Sequence, residues 1–148
     1  MCSNKRGEEK ASHIVSAWSK EDGFCLGQKA VKEKSNEITA IPELLEKIQI
    51  KGQIITIDAM GTQTAIAGKI RQKRADYVLA LKKNQYIMYE DVKEYFSNEE
   101  FQKEMREKGA YKKTCEKAHG QIEIREYYQT EDIRWLSQKK NWKGLRSI

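Results

Sequence analysis

Residues 53–61 read Gln-Ile-Ile-Thr-Ile-Asp-Ala-Met-Gly, and the fold class can be inferred from this segment and its neighbours. Its first five residues form a nearly continuous β-branched run, which predicts a short strand buried on both faces. The strand ends at Asp58, and Gly61 lets the chain leave the strand tightly. Ligands of α/β sheets bind at the carboxyl ends of the strands. Because hard cations prefer carboxylate oxygens, we predict that Asp58 binds Mg²⁺ or Mn²⁺.

Asp58 has a second interpretation. Aspartate is one of the preferred N-cap residues, so its side chain could instead cap the helix that follows the strand. Position alone favours neither interpretation over the other.

The segments around this strand alternate between strand and helix patterns. Asp22-Gly23 is a hairpin signal between two β-rich runs, and the apolar residues of 41–48 fall at i, i+3, i+4 and i+7 of a helix. In chain order the predicted elements are strands at 13–18 and 24–31, a helix containing residues 41–48, a strand at 53–58, a helix at 64–73, a strand at 76–81 and a helix at 85–96. This order predicts an α/β fold in which helices pack on a mixed sheet.

The pattern changes after residue 96. Residues 97–109 are highly charged and predict a helix, and residues 111–130 predict a second hairpin that turns at 118–120. Residues 132–137 predict a short helix.

Composition bounds the class of protein. A chain of 148 residues with 39% apolar and 34% charged residues is long enough for one compact domain with a modest core. No apolar run approaches the roughly 20 residues that span a bilayer, so we expect a cytoplasmic protein. The three cysteines are far apart, which argues against a disulfide framework or a zinc site.

The net charge of +6 is concentrated in two clusters. Residues 69–83 contain six cations and one anion, which leaves +5, and residues 134–146 contain five cations and no anion, which also gives +5. Such clusters suit a polyanionic partner. The alternative is that both clusters are solvated faces of a basic protein.

Several segments, in unbroken order, resemble the insertion-sequence transposases of the H-repeat-associated family. They cover nearly the whole chain: His-Ile-Val-Ser-Ala-Trp at 13–18, Ser-Asn-Glu-Ile-Thr-Ala-Ile-Pro-Glu-Leu-Leu at 35–45, Thr-Ile-Asp-Ala-Met-Gly at 56–61, Asp-Tyr-Val-Leu-Ala-Leu-Lys at 76–82 with Asn84-Gln85, and His119-Gly120 with Ile122-Glu123.

The resemblance implies a ribonuclease-H-like domain in which three carboxylates, the DDE set, hold two divalent metals, Mg²⁺ or Mn²⁺. One metal of such a pair activates the attacking water or 3′-hydroxyl, and the other stabilises the leaving oxygen. The predicted strands match the second to fifth strands of that fold, which makes Asp58 the second carboxylate. Residues 1–12 then correspond to the turn after a missing first strand. We therefore expect this copy to be truncated and inactive alone.

The same alignment divides the chain into two parts. Residues 1–96 are predicted to form a partial ribonuclease-H-like catalytic core, and residues 97–148 a helical linker and the start of a β-rich insertion. Loss of the central strand predicts unpaired edges on the first hairpin and on the strand that ends at Asp58, which is an aggregation liability unless the edges pair directly.

The third carboxylate is ambiguous. Glu123 lies in the family motif, but the residues around it alternate with period 2 and predict a strand, whereas the family's third carboxylate lies on a helix. We therefore expect that carboxylate beyond Ile148, with Glu123 as the alternative. Gln121 stands where relatives usually have arginine. His119 is a weaker candidate ligand and has the simpler interpretation of a turn residue.

The partner that the resemblance implies is DNA, both transposon ends and target, with a homodimer possible for the intact protein. The candidate DNA-binding residues are Lys69, Arg71, Lys73, Lys82, Lys83, Asn84 and Arg125. Lys82, Lys83 and Asn84 follow the strand at 76–81 on the same edge as Asp58, where they could contact phosphates without reading sequence. Lys83 departs from the glycine that relatives often have.

Two other classes of protein share features with this sequence. A non-catalytic DNA-binding remnant of a transposase would also use the basic clusters, and its affinity would fall steeply with salt. A receiver-like phosphoacceptor domain would also end a strand in aspartate, but the opening hairpin contradicts its regular βα alternation.

Overall fold

The chain forms two compact units, Met1–Ala80 and Leu81–Ile148, in a computed structural model that describes residues 13–31, 37–118 and 121–148. The predicted turn at His119-Gly120 and the segment 1–12 lie outside the described residues. No helix within the described ranges is long and apolar enough to cross a bilayer. The first unit contains β1 (His13–Trp18), β2 (Cys25–Val31), α1 (Glu37–Lys47), β3 (Ile54–Ile57), α2 (Thr64–Gln72) and β4 (Asp76–Leu79). The second contains α3 (Tyr86–Ser97), α4 (Glu99–Glu107), β5 (Tyr111–Ala118) and β6 (Gln121–Tyr128).

The predicted first hairpin is confirmed. β1 and β2 pair antiparallel, with His13 opposite Val31, and the register shifts between Ala17 and Trp18. Gly23 has a φ of 70°, a backbone conformation that glycine adopts without the steric cost of a Cβ. The Asp22-Gly23 signal therefore marks the turn correctly.

The predicted β-α-β unit is also confirmed. α2 connects β3 to β4, and the two strands pair parallel with Ile54 opposite Asp76 and Ile57 opposite Leu79. The strands of the described residues nevertheless form three separate two-stranded sheets, β1-β2, β3-β4 and β5-β6. They therefore form an α/β fold without the predicted single mixed sheet, and the edges of the first hairpin do not pair with β3.

The core of the first unit lies between α1, α2 and one face of the β3-β4 pair. The apolar stripe predicted for α1 is confirmed, since three of its four positions are buried and the fourth packs beside them. The buried cluster consists of Leu45, Ile48, Ile50, Ile66, Ile70 and Ala75. Ile55, Ile57 and Tyr77 pack against it from the two strands.

The prediction that the strand at 53–58 is buried on both faces is wrong. Burial alternates along β3 and β4, so that the side chain of Ile54 is 67% exposed and that of Val78 is 60% exposed. Only the face towards α1 and α2 is covered, and the described residues supply no second layer. A continuous apolar run indicates a strand whose two faces can both be buried, but it does not show that other elements cover both faces.

The second unit packs two helices beside a hairpin. Asn98 caps α4 by accepting hydrogen bonds from the Glu100 and Phe101 amides at 2.9 and 3.2 Å. β5 and β6 pair antiparallel with Tyr111 opposite Tyr128. The Arg106 guanidinium lies over both tyrosine rings, 5.2 and 5.4 Å from their centroids, which joins α4 to the base of the hairpin.

The chain after β6 forms a closed loop, residues 131–147, which we call the basic loop. Its base is fixed because Thr130 and Ile148 exchange two backbone hydrogen bonds of 2.8 and 3.0 Å. The predicted helix at 132–137 is wrong. The Asp132 carboxylate accepts the Arg134 amide at 3.2 Å, and the Asp132 carbonyl accepts the Trp135 indole N–H. These contacts fix a turn, because they occupy groups that a helix would use differently.

Candidate metal-binding turn

Asp58 directly follows β3 and begins a 3₁₀ turn, Ala59–Gly61. Its Oδ1 accepts hydrogen bonds from the amides of Met60 at 3.2 Å and Gly61 at 3.5 Å. The capping interpretation is therefore correct in part: Asp58 caps this short turn, whereas α2 has Gln63 at its N-cap. The residue is exposed, and its Oδ2 accepts no hydrogen bond from the described part of the chain. One carboxylate oxygen thus orients the side chain, and the other has no hydrogen-bond donor among the described residues.

Thr62 ties this turn to the neighbouring strand. The residue is only 2% exposed, and its hydroxyl lies 2.6 Å from the Ala80 carbonyl and 3.1 Å from the Asp58 carbonyl. The Ala80 amide in turn donates to the Ile57 carbonyl at 3.1 Å. The backbone of Asp58 is thereby held against the end of β4 by a buried hydroxyl. Sequence reasoning missed Thr62; a hydroxyl residue four positions after Asp58, among small residues, was the available signal.

We expect Thr62→Val to lower the free energy of unfolding by about 1–2 kcal/mol, because the isosteric change removes the hydroxyl that bonds the Ala80 and Asp58 carbonyls. It should also move the amide resonances of Met60 and Gly61, since the turn loses its tether. Urea unfolding and amide chemical shifts measure the two effects.

The control for this prediction is Thr62→Ser, which keeps the hydroxyl and removes the methyl group. It should retain the wild-type shifts of the turn. Equal shifts in the valine and serine variants would contradict a role for the hydroxyl.

Gly61 is required by close packing. A Cβ added there would lie 2.3 Å from Ile57 Cγ2 and 2.9 Å from Ile41 Cδ1. Its φ is not positive, so the requirement is steric. Ile41 of α1 and Ile57 of β3 therefore contact the turn from two sides, and only glycine fits at position 61 without a steric clash.

The cations of α2, predicted to face DNA, are engaged inside the first unit. Lys69 pairs with Glu46 and lowers the pKa of that carboxyl. Arg71 donates to the Ala75 carbonyl at 3.0 Å and pairs with Asp76. These side chains are about three-quarters covered, with 27% of Lys69 and 24% of Arg71 exposed.

Lys73 acts as a cap for α1. Its ammonium donates to the carbonyls of Leu45 at 2.5 Å, Ile48 at 3.0 Å and Glu46 at 3.2 Å. These carbonyls end α1, where a cation also interacts favourably with the helix dipole. Its side chain is only 19% exposed.

The remaining candidate DNA-binding residues lie in the second unit. Lys82, Lys83 and Asn84 are exposed around the 3₁₀ turn Lys83–Gln85. Arg125 on β6 donates to Glu123 through Nε at 2.9 Å, and that hydrogen bond is the main reason why the pKa of Arg125 is raised.

Glu123 lies on β6, which confirms the predicted strand. It stands opposite Glu116 and is paired with Arg125. Within the described ranges, no group of three or more histidine, cysteine, aspartate or glutamate side chains could hold a metal ion. His119 lies outside those ranges.

The described residues thus form an α/β fold in which an exposed aspartate, Asp58, directly follows a strand. The transposase DDE domain family matches residues 2–146. The chain therefore belongs to the transposase DDE domain family.

Individual relatives agree with that assignment. The chain is 40% identical over 146 residues to the "Uncharacterized protein in dhlA 3'region" of Xanthobacter autotrophicus, covering 99% of this chain and 48% of that protein. It is 43% identical over 145 residues to "Putative transposase YncI" of Escherichia coli O157:H7, covering 97% and 36%. It is 40% identical over 147 residues to "H repeat-associated putative transposase YhhI" of Escherichia coli K12, covering 99% and 37%. The chain thus spans between about a third and a half of the relatives' length, and no solved structure matches it.

Proposed function

We propose that this chain supplies Asp58 as a divalent-metal ligand to the phosphodiester chemistry of a DNA transposase. The single observation that carries the proposal is the position of the carboxylate. The exposed Asp58 directly follows β3, one of its carboxylate oxygens is held by two turn amides, and the other has no donor among the described residues. Family membership supplies the chemical context.

The donor chemistry fits Mg²⁺ or Mn²⁺. A carboxylate oxygen is a hard ligand of the kind that both ions take. Thr62 holds the backbone of Asp58 from below, so the ligand is positioned before a metal binds. In a two-metal site the ions lower the pKa of the nucleophile and neutralise charge on the phosphate. Asp58 would supply one ligand and the other carboxylates would have to converge on it.

A ribonuclease-H-like architecture is the fold we propose for the intact domain. The antiparallel β1-β2 hairpin followed by the parallel β3-α2-β4 unit supports it. The uncovered apolar faces of both strand pairs, represented by Ile14 at 59% and Ile54 at 67% exposure, are surfaces that further sheet or helix would cover. The division into a catalytic part at 1–96 and an insertion at 97–148 stays a prediction.

The partner we propose is DNA, and Lys82, Lys83 and Asn84 are the predicted contacts that stay exposed. Lys69, Arg71 and Lys73 are mostly covered and already bound to acids or carbonyls of the first unit, so we expect weaker phosphate contacts from them. Glu123 as a catalytic acid stays the weaker alternative, since it lies on a strand and is paired with Arg125.

The experiment that tests the role of Asp58 is paramagnetic line broadening by Mn²⁺ on the full chain. A lone carboxylate binds Mn²⁺ only weakly, because it supplies one of the several oxygen ligands that such an ion takes. Broadening detects such binding, and it should be strongest at the amides of Met60 and Gly61. Asp58→Asn should abolish it there. Because asparagine caps as well as aspartate, this variant removes the charge while keeping the turn.

The matched control is Asp22→Asn, which changes an exposed turn carboxylate of the same unit. Broadening around Met60 should persist in this variant. Broadening at the turn that survives Asp58→Asn would refute the metal-ligand role.

Activity of the 148-residue chain stays a prediction: it should neither nick nor join transposon-end DNA in the presence of Mg²⁺ or Mn²⁺. The DNA-binding remnant is the second candidate function. Salt-sensitive DNA binding without Mn²⁺ broadening at Asp58 would favour it.

A further inference from the structure

The two basic clusters of the sequence differ in how many of their cations are exposed and in what those cations bind. In the first, Lys69, Arg71 and Lys73 are mostly covered and bound to acids or carbonyls of the first unit. In the second, the side chains of Lys139, Lys140, Lys143 and Arg146 are all exposed. The first cluster thus places three of its six cations in an internal network and leaves Arg74, Lys82 and Lys83 exposed, whereas the second places four exposed cations on one loop.

The basic loop that carries this surface is held in place. Ile133 at 2%, Leu136 at 3% and Trp142 at 3% exposure are buried beneath it. The loop is also fastened to α3, because the Ser137 amide and hydroxyl donate to the Asp91 carboxylate at 3.0 and 2.5 Å. With its ends joined at Thr130 and Ile148, the loop has the features of a compact Ω-type loop.

The acids of the loop lie at its beginning. Asp132 is bound bidentately by Arg134, at 2.8 and 2.6 Å, and this hydrogen bonding is the main reason why the pKa of Asp132 is lowered. Glu131 is exposed beside it. From residue 133 to residue 148 there is no acid, so the far part of the loop carries only positive charge.

We propose that the basic loop is a DNA-backbone contact surface. Because the loop is anchored, its four exposed cations can contact phosphates with little loss of backbone entropy. A flexible tail would have to become ordered on binding. Such contacts are electrostatic and do not read sequence. The proposal rests on the proposed function, from which it takes DNA as the partner.

The test is binding of the full chain to a fluorescent 30-base-pair duplex, measured by anisotropy across a salt series. The triple variant Lys139→Gln, Lys140→Gln and Arg146→Gln should lose roughly tenfold or more in affinity at low salt. The slope of log K against log salt should become shallower by about 2.7, since each lost phosphate contact removes about 0.9.

The matched control is Lys20→Gln, Lys51→Gln and Lys103→Gln, which removes the same charge from exposed positions elsewhere. It should bind within about twofold of wild type. Equal losses in the two triples, or no loss in either, would overturn the assignment while DNA binding itself stands. Absence of wild-type binding would overturn the DNA partner as well, and tighter binding to polyglutamate than to the duplex would indicate an acidic protein partner instead.

Discussion

Gly61→Ala should lower the free energy of unfolding by about 2–3 kcal/mol, although it adds a single methyl group. The new Cβ would lie 2.3 Å from Ile57 Cγ2, well inside contact distance, and Ile57 is held between the core and the turn. Overpacking of this kind costs about 1–3 kcal/mol because side chains and backbone must shift. Urea unfolding followed by circular dichroism measures the change.

Gly68→Ala provides the control for the same chemical change. Gly68 lies within α2, and an added Cβ would meet nothing within 4 Å. Alanine should therefore stabilise the helix by up to about 1 kcal/mol, since glycine has the higher conformational entropy when unfolded. If both variants changed stability in the same direction, the close packing of the turn would be disproved.

Ile70→Ala should have the larger effect on the core, a loss of about 3–4 kcal/mol. Ile70 has no exposed surface and belongs to the cluster that joins α1, α2 and the strands. Truncation removes buried methyl groups and leaves a cavity, which costs about 2–5 kcal/mol in comparable sites. For a domain with a small core this is a large part of the total stability. Amide exchange in α2 should accelerate accordingly.

Ile54→Ala is the matched control, because the same residue type is 67% exposed on the uncovered face of β3. Its effect should stay below about 0.5 kcal/mol. A loss as large as that of Ile70→Ala would mean that the face of β3 is covered in solution.

The local elements were predictable from sequence because each depends on neighbouring residues. The Asp22-Gly23 turn, the α1 stripe and the strand before Asp58 all carry their signals within one element. The assembly of the strands was not predictable in the same way. Whether both faces of the strand at 53–58 are covered depends on residues far away in the sequence. In the described part of the chain, only the face towards α1 and α2 is covered.

The candidate site was also predictable only in part. Asp58 could be recognised from its position at a strand end, but its cap to Met60 and Gly61 required coordinates. The cations of 69–83 illustrate the limit of charge counting. Lys73 looks like an exposed cation in sequence, yet its ammonium caps α1. The sequence did not reveal this cap because the carbonyls that Lys73 binds lie 25 to 28 positions away.

Anomalous diffraction from crystals soaked in MnCl₂ shows whether Asp58 is a divalent-metal ligand. We expect an anomalous peak about 2.0–2.2 Å from an Asp58 carboxylate oxygen, the distance at which small hard cations bind oxygen. The peak should be absent from Asp58→Asn crystals treated in the same way. Manganese found only at other carboxylates, such as the Glu116 and Glu123 pair, would contradict the account.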